Sequence, residues 1–221
     1  MKFLNLKKVL CLSPHPDDVE LAMMGTIMRH QETHFDVLCL TKGGAKGFDE
    51  TNELNRRDEV DAVWDRANVL NTNVFHSKYD YFEDATEPGW INYIENKFVK
   101  LDDYDCIMIP TSEDSMFEHR FVNKFGSALC RFSDISLIEY RSFSTLNSWQ
   151  PNLFIDMNNE YVRKEISLKL FTSQLHKIYF QKPALEAFHS NFQCNKKGLD
   201  RVEQFKIIDG KGGLNYPPFL S

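Results

Sequence analysis

The stretch Ser13-Pro14-His15-Pro16-Asp17-Asp18-Val19-Glu20 decides how the chain reads. It follows the apolar run Val9-Leu10-Cys11-Leu12 and precedes an amphipathic run with Leu21, Met24 and Met28 near one face. An apolar run, a short polar break and then 3.6-residue spacing predict strand, loop and helix. One imidazole and two carboxylates therefore stand where a strand hands over to a helix. Open α/β sheets place their ligand sites at that edge. Asp17 and Asp18 also suit the ordinary work of capping a helix and meeting its dipole.

The same alternation recurs downstream. Strands are predicted over 8–12, 35–41, 73–75, 106–109 and 136–140, with helices over 18–30, 52–70, 90–99 and 119–132. Pro88-Gly89 reads as loop before the third helix. Nearly continuous apolar strands alternating with helices predict a parallel sheet covered on both faces. Right-handed crossovers then give an α/β fold, a Rossmann-like three-layer sandwich with a mostly parallel sheet. After Arg141 the texture changes: 144–152 is irregular, 161–174 and 183–191 suit helices, and the Gly- and Pro-bearing tail 210–221 suits a surface wrap. With no internal repeat or linker, residues 1–221 are expected to form a single domain. The loop Lys42-Gly43-Gly44-Ala45-Lys46-Gly47 is no Walker motif, since its spacing fails and no Lys-Ser/Thr pair follows. It serves as a connection whose amides can line a site at a strand end.

Composition narrows the classes. Of 221 residues, 42% are hydrophobic and 26% charged, ordinary for a globular chain. The net charge of -6 argues against nucleic acid or an anionic membrane as partner. No apolar run reaches the ~18 residues of a membrane span. The first twelve residues, broken by Lys2, Asn5, Lys7 and Lys8, do not read as a signal peptide. Five Cys without a CxxC suit buried free thiols. The expected location is cytoplasmic.

Two loops at strand ends carry metal-type ligands: His15, Asp17 and Asp18 in one, Asp114, Glu118 and His119 in the other. A catalytic zinc site takes three nitrogen or oxygen ligands and leaves a position for water. His15, Asp18 and His119 make such a set, with Asp17 beside it to accept a proton from the water. The competing reading is plain: His near Asp is common, and a His at a helix start is an ordinary surface residue.

The run His15-Pro16-Asp17-Asp18-Val19-Glu20 resembles the PHPDDxE signature of the PIG-L/LmbE-like zinc-dependent N-deacetylases. Other segments resemble that family in the same order. Arg56 and Glu59 resemble its R-x-x-E helix, and Asp114 to His119 its second metal motif, D-x-H-x-D-H. Trp149 to Asp156, then Ser173-Gln174, then Gly198 and Glu203-Gln204-Phe205 resemble its later segments. The resemblance implies a Rossmann-like fold and removal of an acyl group, usually acetyl, from an amino-sugar nitrogen. The sugar would be N-acetylglucosamine-like, whether free, nucleotide-linked or glycan-linked. It implies zinc on His15, Asp18 and His119, Asp17 as general base, and Arg56 as a substrate contact. Arg56 also suits a surface ion pair with Asp58 or Glu59, and Glu20 a structural role in the loop.

Within the second motif the chain departs from the family pattern. Met116 stands where a His is common, and Glu118 where Asp is usual. The missing imidazole would stabilise an oxyanion or protonate the leaving amine, and losing one such donor costs ~10²–10³ in rate. Asp114, Ser115 and above all His76 are candidates to replace it, and Glu118 is a candidate partner for a ligand or the base. Two alternatives follow: a non-catalytic sugar-binding relative, or a zinc amidohydrolase acting on a non-sugar acyl amide. Phe48, Tyr79, Tyr81, Phe117 and Trp149 are the aromatics that suit a sugar-binding mouth, and core packing suits each as well. The family resemblance leaves a homo-oligomer open.

Overall fold

A computed structural model describes residues 3–44, 56–97, 100–131, 134–190, 198, 200–209 and 219–220. Five parallel strands come first: β1 (Lys8–Ser13), β2 (His34–Cys39), β3 (Thr72–His76), β4 (Cys106–Pro110) and β5 (Ser136–Tyr140). Then come β6 (Leu153–Asp156), β7 (Val202–Asp209) and the two-residue β8 (Phe219–Leu220). Together they make one eight-stranded sheet in the order β3-β2-β1-β4-β5-β7-β6-β8. Only β7 runs against its neighbours β5 and β6. The predicted mostly parallel sandwich is thus the observed fold.

Six helices cover the sheet: α1 (Asp18–Arg29), α2 (Arg56–Ala67), α3 (Glu87–Lys97), α4 (Phe117–Leu129), α5 (Tyr161–Leu168) and α6 (Lys182–His189). Side chains alternate across a strand, and β1 shows the consequence. Val9 and Cys11 join one apolar cluster with α1 and α2, while Leu10 and Leu12 join another with α3 and α4. In the second cluster Trp90 and Phe125 stack with ring centroids 5.9 Å apart. Four cysteines, Cys11, Cys39, Cys106 and Cys130, are buried and free; Cys194 lies outside the described residues. No described helix is long and apolar enough to cross a membrane.

The differences from expectation lie mostly beyond β5. Residues 153–156 and 202–209, where no element was expected, form strands. The helix expected to reach residue 174 stops at Leu168, because the chain then runs in three-residue turns, Phe171 N–H to Leu168 C=O and Gln174 N–H to Phe171 C=O. Pro88 belongs to the first turn of α3, not to a loop; there it needs no N–H partner and its φ is already helical. Of the tail, 210–218 and 221 lie outside the described residues, and 219–220 pair with β6.

The antiparallel half is tied to α1 by buried charge. Lys164 Nζ lies 2.6 Å from Glu203 Oε1, and both side chains are essentially without solvent contact. Glu203 also accepts from the Gly25 and Thr26 amides at 2.9 and 2.6 Å, and Lys164 donates to Leu21 C=O at 2.7 Å. A Cβ on Gly25 would meet Met157 Sδ at 2.7 Å, so the close approach of α1 to this segment requires glycine. Removing one partner of such a pair leaves an uncompensated buried charge, which costs about 3–5 kcal/mol. Glu203→Leu should lose stability on that scale in urea unfolding, and the double variant with Lys164→Met should recover most of it. Unchanged stability of Glu203→Leu would show that the pair holds nothing together.

Candidate metal centre and the cavity around it

After β1 the chain turns sharply over His15. The Ser13 hydroxyl donates to His15 C=O at 2.8 Å and accepts from the Val19 amide at 3.3 Å. The His15 amide and Nδ1 both reach Asp18 Oδ2, at 2.8 and 3.1 Å. Asp17 stands at the N-cap with φ +117°, a conformation rare for a residue with a Cβ. Its side chain turns to Arg56, whose Nη2 donates to Asp17 Oδ2 at 2.7 Å and to Pro16 C=O at 2.5 Å. Glu20 holds the loop from behind. It accepts from the Asp17 amide at 3.2 Å and from the Trp64 indole N–H at 2.6 Å.

The second loop brings in His119 on the first turn of α4. Asp114 Oδ2 faces His119 Nδ1 at 3.0 Å and accepts from the Ser142 hydroxyl, while Asp114 Oδ1 accepts from the Met116 amide at 2.8 Å. A carboxylate on one ring nitrogen sets a histidine's tautomer and aims the other nitrogen at a metal. Here that other nitrogen, Nε2, is buried with no hydrogen-bond partner and lies 3.2 Å from Asp18 Oδ1. One donor atom each from His15, Asp18 and His119 lies within 4.8 Å of the others. An orphaned imidazole nitrogen facing a carboxylate and a second imidazole fits a divalent metal of the zinc type.

Electrostatics follow from the burial of this group. Burial pushes Asp18 up, but His119 and His15 outweigh it and hold the carboxyl well below its usual range. Burial lifts Asp17 to about 6, with Arg56 opposing and Asp18 adding to the rise. Burial lifts Glu20 to about 7 against the Trp64 hydrogen bond. Burial would lower His119, but Asp18 and Asp114 raise it to about 10.

The donors open onto a cavity of about 340 Å³, lined also by Asp17, Arg56, Gly44, Met116 and Glu118. Its far wall is Ser142, Phe143, Ser144, Lys177 and Tyr179. Sequence reasoning missed all five. The first three follow the end of β5, a position that itself points to ligand sites; nothing in the sequence marked Lys177 or Tyr179. Several expectations need correction. His76 pairs with Asp61 at 2.9 Å and does not line the cavity. Ser115 donates to Ser144 C=O at 3.0 Å. The partner of His119 is Asp114, not Glu118. Arg56 pairs with Asp17 rather than with Asp58 or Glu59, and Glu59 instead accepts from Thr172 and Ser173 at 2.6–2.8 Å. Among the aromatics, Trp149 is buried with its indole donating to Glu139, Tyr79 packs on Trp90, and Phe117 stacks on Phe121. Tyr81 lies under Lys42 Nζ, and Phe48 is outside the described residues.

Two outcomes are expected from this geometry. Gly43 has φ +78°, and a Cβ there would land on the Arg56 guanidinium. Gly43→Ala should therefore dislodge Arg56 and depress any Asp17-dependent activity as strongly as Arg56→Ala does. A variant with full activity would show that the Arg56–Asp17 contact is dispensable. Secondly, His119 raised to about 10 carries both ring protons at neutral pH, and a metal must displace one. Zinc affinity measured by chelator competition from pH 6 to 8 should tighten about tenfold per pH unit. Affinity flat across that range would show that no proton has to leave His119 for metal to bind.

Residues 10–130 match the family model PIG-L, described as GlcNAc-PI de-N-acetylase. No curated protein matches the sequence. Among solved structures, the N,N'-diacetylchitobiose deacetylase from Pyrococcus horikoshii is 21% identical with a TM-score of 0.73, covering 93% of this chain and 85% of its own. The A40926 pseudoaglycone deacetylase is 16% identical with a TM-score of 0.69, covering 92% and 98%. GalB, the 4-carboxy-2-hydroxymuconate hydratase from Pseudomonas putida KT2440, is 13% identical with a TM-score of 0.64, covering 96% and 100%. At these identities the structures share the fold, and the fold alone serves more than one reaction. The family match is the stronger finding: it covers more than half of the chain, from β1 through α4 with all three candidate ligands, and it shows that the chain belongs to the PIG-L/LmbE-like family of metal-dependent de-N-acetylases.

Proposed function

We propose that the chain is a zinc-dependent hydrolase that removes an N-acetyl group from an N-acetylglucosamine-like amino sugar, free, nucleotide-linked or glycan-linked. One observation carries the reading: the His15, Asp18 and His119 donors converge at a cavity whose wall includes the buried Asp17. Two imidazoles and a carboxylate are a common ligand set of hydrolytic zinc. Zinc held there would supply a Lewis acid for the amide oxygen and lower the pKa of water.

The chain's own groups do the rest. Asp17 takes a proton from the attacking water and passes it to the nitrogen that leaves. Arg56 holds that carboxylate in one orientation and, lining the same cavity, stands ready to contact the substrate. Asp114 and Ser142 keep the His119 ring fixed. Phe143 and Tyr179 offer apolar faces of the kind that pack on sugar rings.

A second reading rests on Met116, which lines the cavity at 39% exposure with no imidazole in its place. It makes the chain a sugar-binding relative that holds ligand without turnover. Metal content and acetate release on a panel of N-acetylglucosamine derivatives separate the two. Asp17→Asn should retain zinc and lose about 10²–10⁴ in rate; His15→Ala should lose zinc. Zinc-saturated wild type that binds the sugars and releases no acetate would favour the second reading.

A further inference from the structure

We propose that the Tyr179 hydroxyl is the hydrogen-bond donor that serves the reacting oxygen in place of the imidazole absent at position 116. The inference rests on the deacetylase reading. A thioether cannot donate, so Met116 cannot supply the contact. Besides the two ligand histidines, the side-chain donors lining the cavity among the described residues are Arg56, Ser142, Ser144, Lys177 and Tyr179. Arg56 engages Asp17 and Pro16 through Nη2, and its Nε is buried away from solvent. Ser142 donates to Asp114, and Ser144 Oγ lies 3.0 Å from Ser142 Oγ and 3.4 Å from His119 Nδ1. Both hydroxyls thus serve the Nδ1 side of His119, away from Nε2. Lys177 Nζ lies over the Tyr179 ring, 5.6 Å from its centroid. The Tyr179 hydroxyl has no hydrogen-bond partner among the described residues, and it is the one lining hydroxyl not engaged with Asp114 or the Nδ1 side of His119.

The ring is held firmly enough to aim that hydroxyl. Tyr179 sits in a 3₁₀ turn, Ile178–Phe180, whose Phe180 is buried. Its ring lies 5.6 Å from Phe143 and 5.2 Å from Phe180, centroid to centroid. Tyr179 lines the same cavity as Asp17, Asp18 and Arg56, and burial with Asp17 pushes the phenol's pKa well up, so it keeps its proton. In the reaction the water oxygen bonds to the acetyl carbon and the carbonyl π pair moves onto oxygen. That pair returns as the C–N bond breaks, and the amine leaves with the proton relayed by Asp17. Tyr179 donates a hydrogen bond to the charged oxygen and transfers nothing.

The test compares zinc-loaded wild type with Tyr179→Phe and Lys177→Met, using the best substrate from the acetate-release panel. A methylphosphonamide of the same amino sugar mimics the tetrahedral stage. Tyr179→Phe should keep its zinc and its KM within about twofold while kcat falls about 10²–10³. Affinity for the phosphonamide should fall by the same factor, with binding of the free amino sugar unchanged. Full kcat and full phosphonamide affinity in Tyr179→Phe would sink the inference alone. So would a loss carried by KM and by the free amino sugar, which would make Tyr179 only a sugar wall, or a kcat loss in Lys177→Met instead. A wild type that releases no acetate would sink the deacetylase reading, and Tyr179's role with it.

Discussion

Three carboxylates within four residues, Asp17, Asp18 and Glu20, are withdrawn from water at the end of β1, and much of the structure answers to that burial. An ionised carboxylate without partners is too costly to bury. Its partners here come from distant parts of the chain: Arg56 and Trp64 on α2, His119 on α4. Only a sheet with β1 between β2 and β4 lets the loop after β1 receive helices from both faces at once. The crossover topology and the site chemistry are therefore one constraint. Each acid also settles differently. Asp18, between two imidazoles, is held ionised, whereas Asp17 and Glu20 are raised by burial despite a guanidinium and an indole.

The parallel half was legible because its strands are continuous apolar runs with helices between them. The antiparallel half was not. In β7 the sequence Val202-Glu203-Gln204-Phe205-Lys206-Ile207-Ile208-Asp209 mixes charge with apolar residues, and Glu203 looks like a surface residue. It is buried because Lys164 meets it from α5, a pairing across 39 positions that no local pattern announces. α5 teaches the same lesson. Its helical spacing continues past Leu168, but Glu59 captures the Thr172 and Ser173 hydroxyls and the Ser173 amide. A side chain from α2 thus ends what local spacing would prolong.

For the site, His15, Asp17, Asp18 and His119 were readable because residue types that bind metal stand at strand ends, whereas Arg56 at the start of α2 was marked only by its resemblance to the family's R-x-x-E helix. Their second partners were harder. Glu118 and Asp114 are both acids near His119, and only geometry separates them. Successive residues on a helix do not face each other, so Glu118 cannot brace its neighbour, while the loop bends Asp114 back beneath the ring at 3.0 Å. The far wall of the cavity was unreadable for another reason. Phe143 and Tyr179 are separated by 36 positions of chain containing a strand and a helix, and only the packed fold brings their rings within 5.6 Å.

The adjacent acids Asp17 and Asp18 must do opposite things from consecutive positions. One turns to Arg56 and the other to two imidazoles. Regular extended or helical backbone does not send neighbouring side chains that way while also starting a helix. The φ of +117° at Asp17 does, at a strain of about 1–3 kcal/mol that the surrounding contacts sustain. The same division between backbone and side chain governs Met116. Its contribution to the centre is its amide, donated to Asp114 Oδ1 at 2.8 Å, and any residue except proline has that amide. The support of His119 thus does not depend on which side chain stands at 116. That side chain only faces the cavity. A change from imidazole to thioether there leaves the His15, Asp18 and His119 arrangement intact, and under the proposed chemistry the demand for a donor falls on the far wall, which Tyr179 lines.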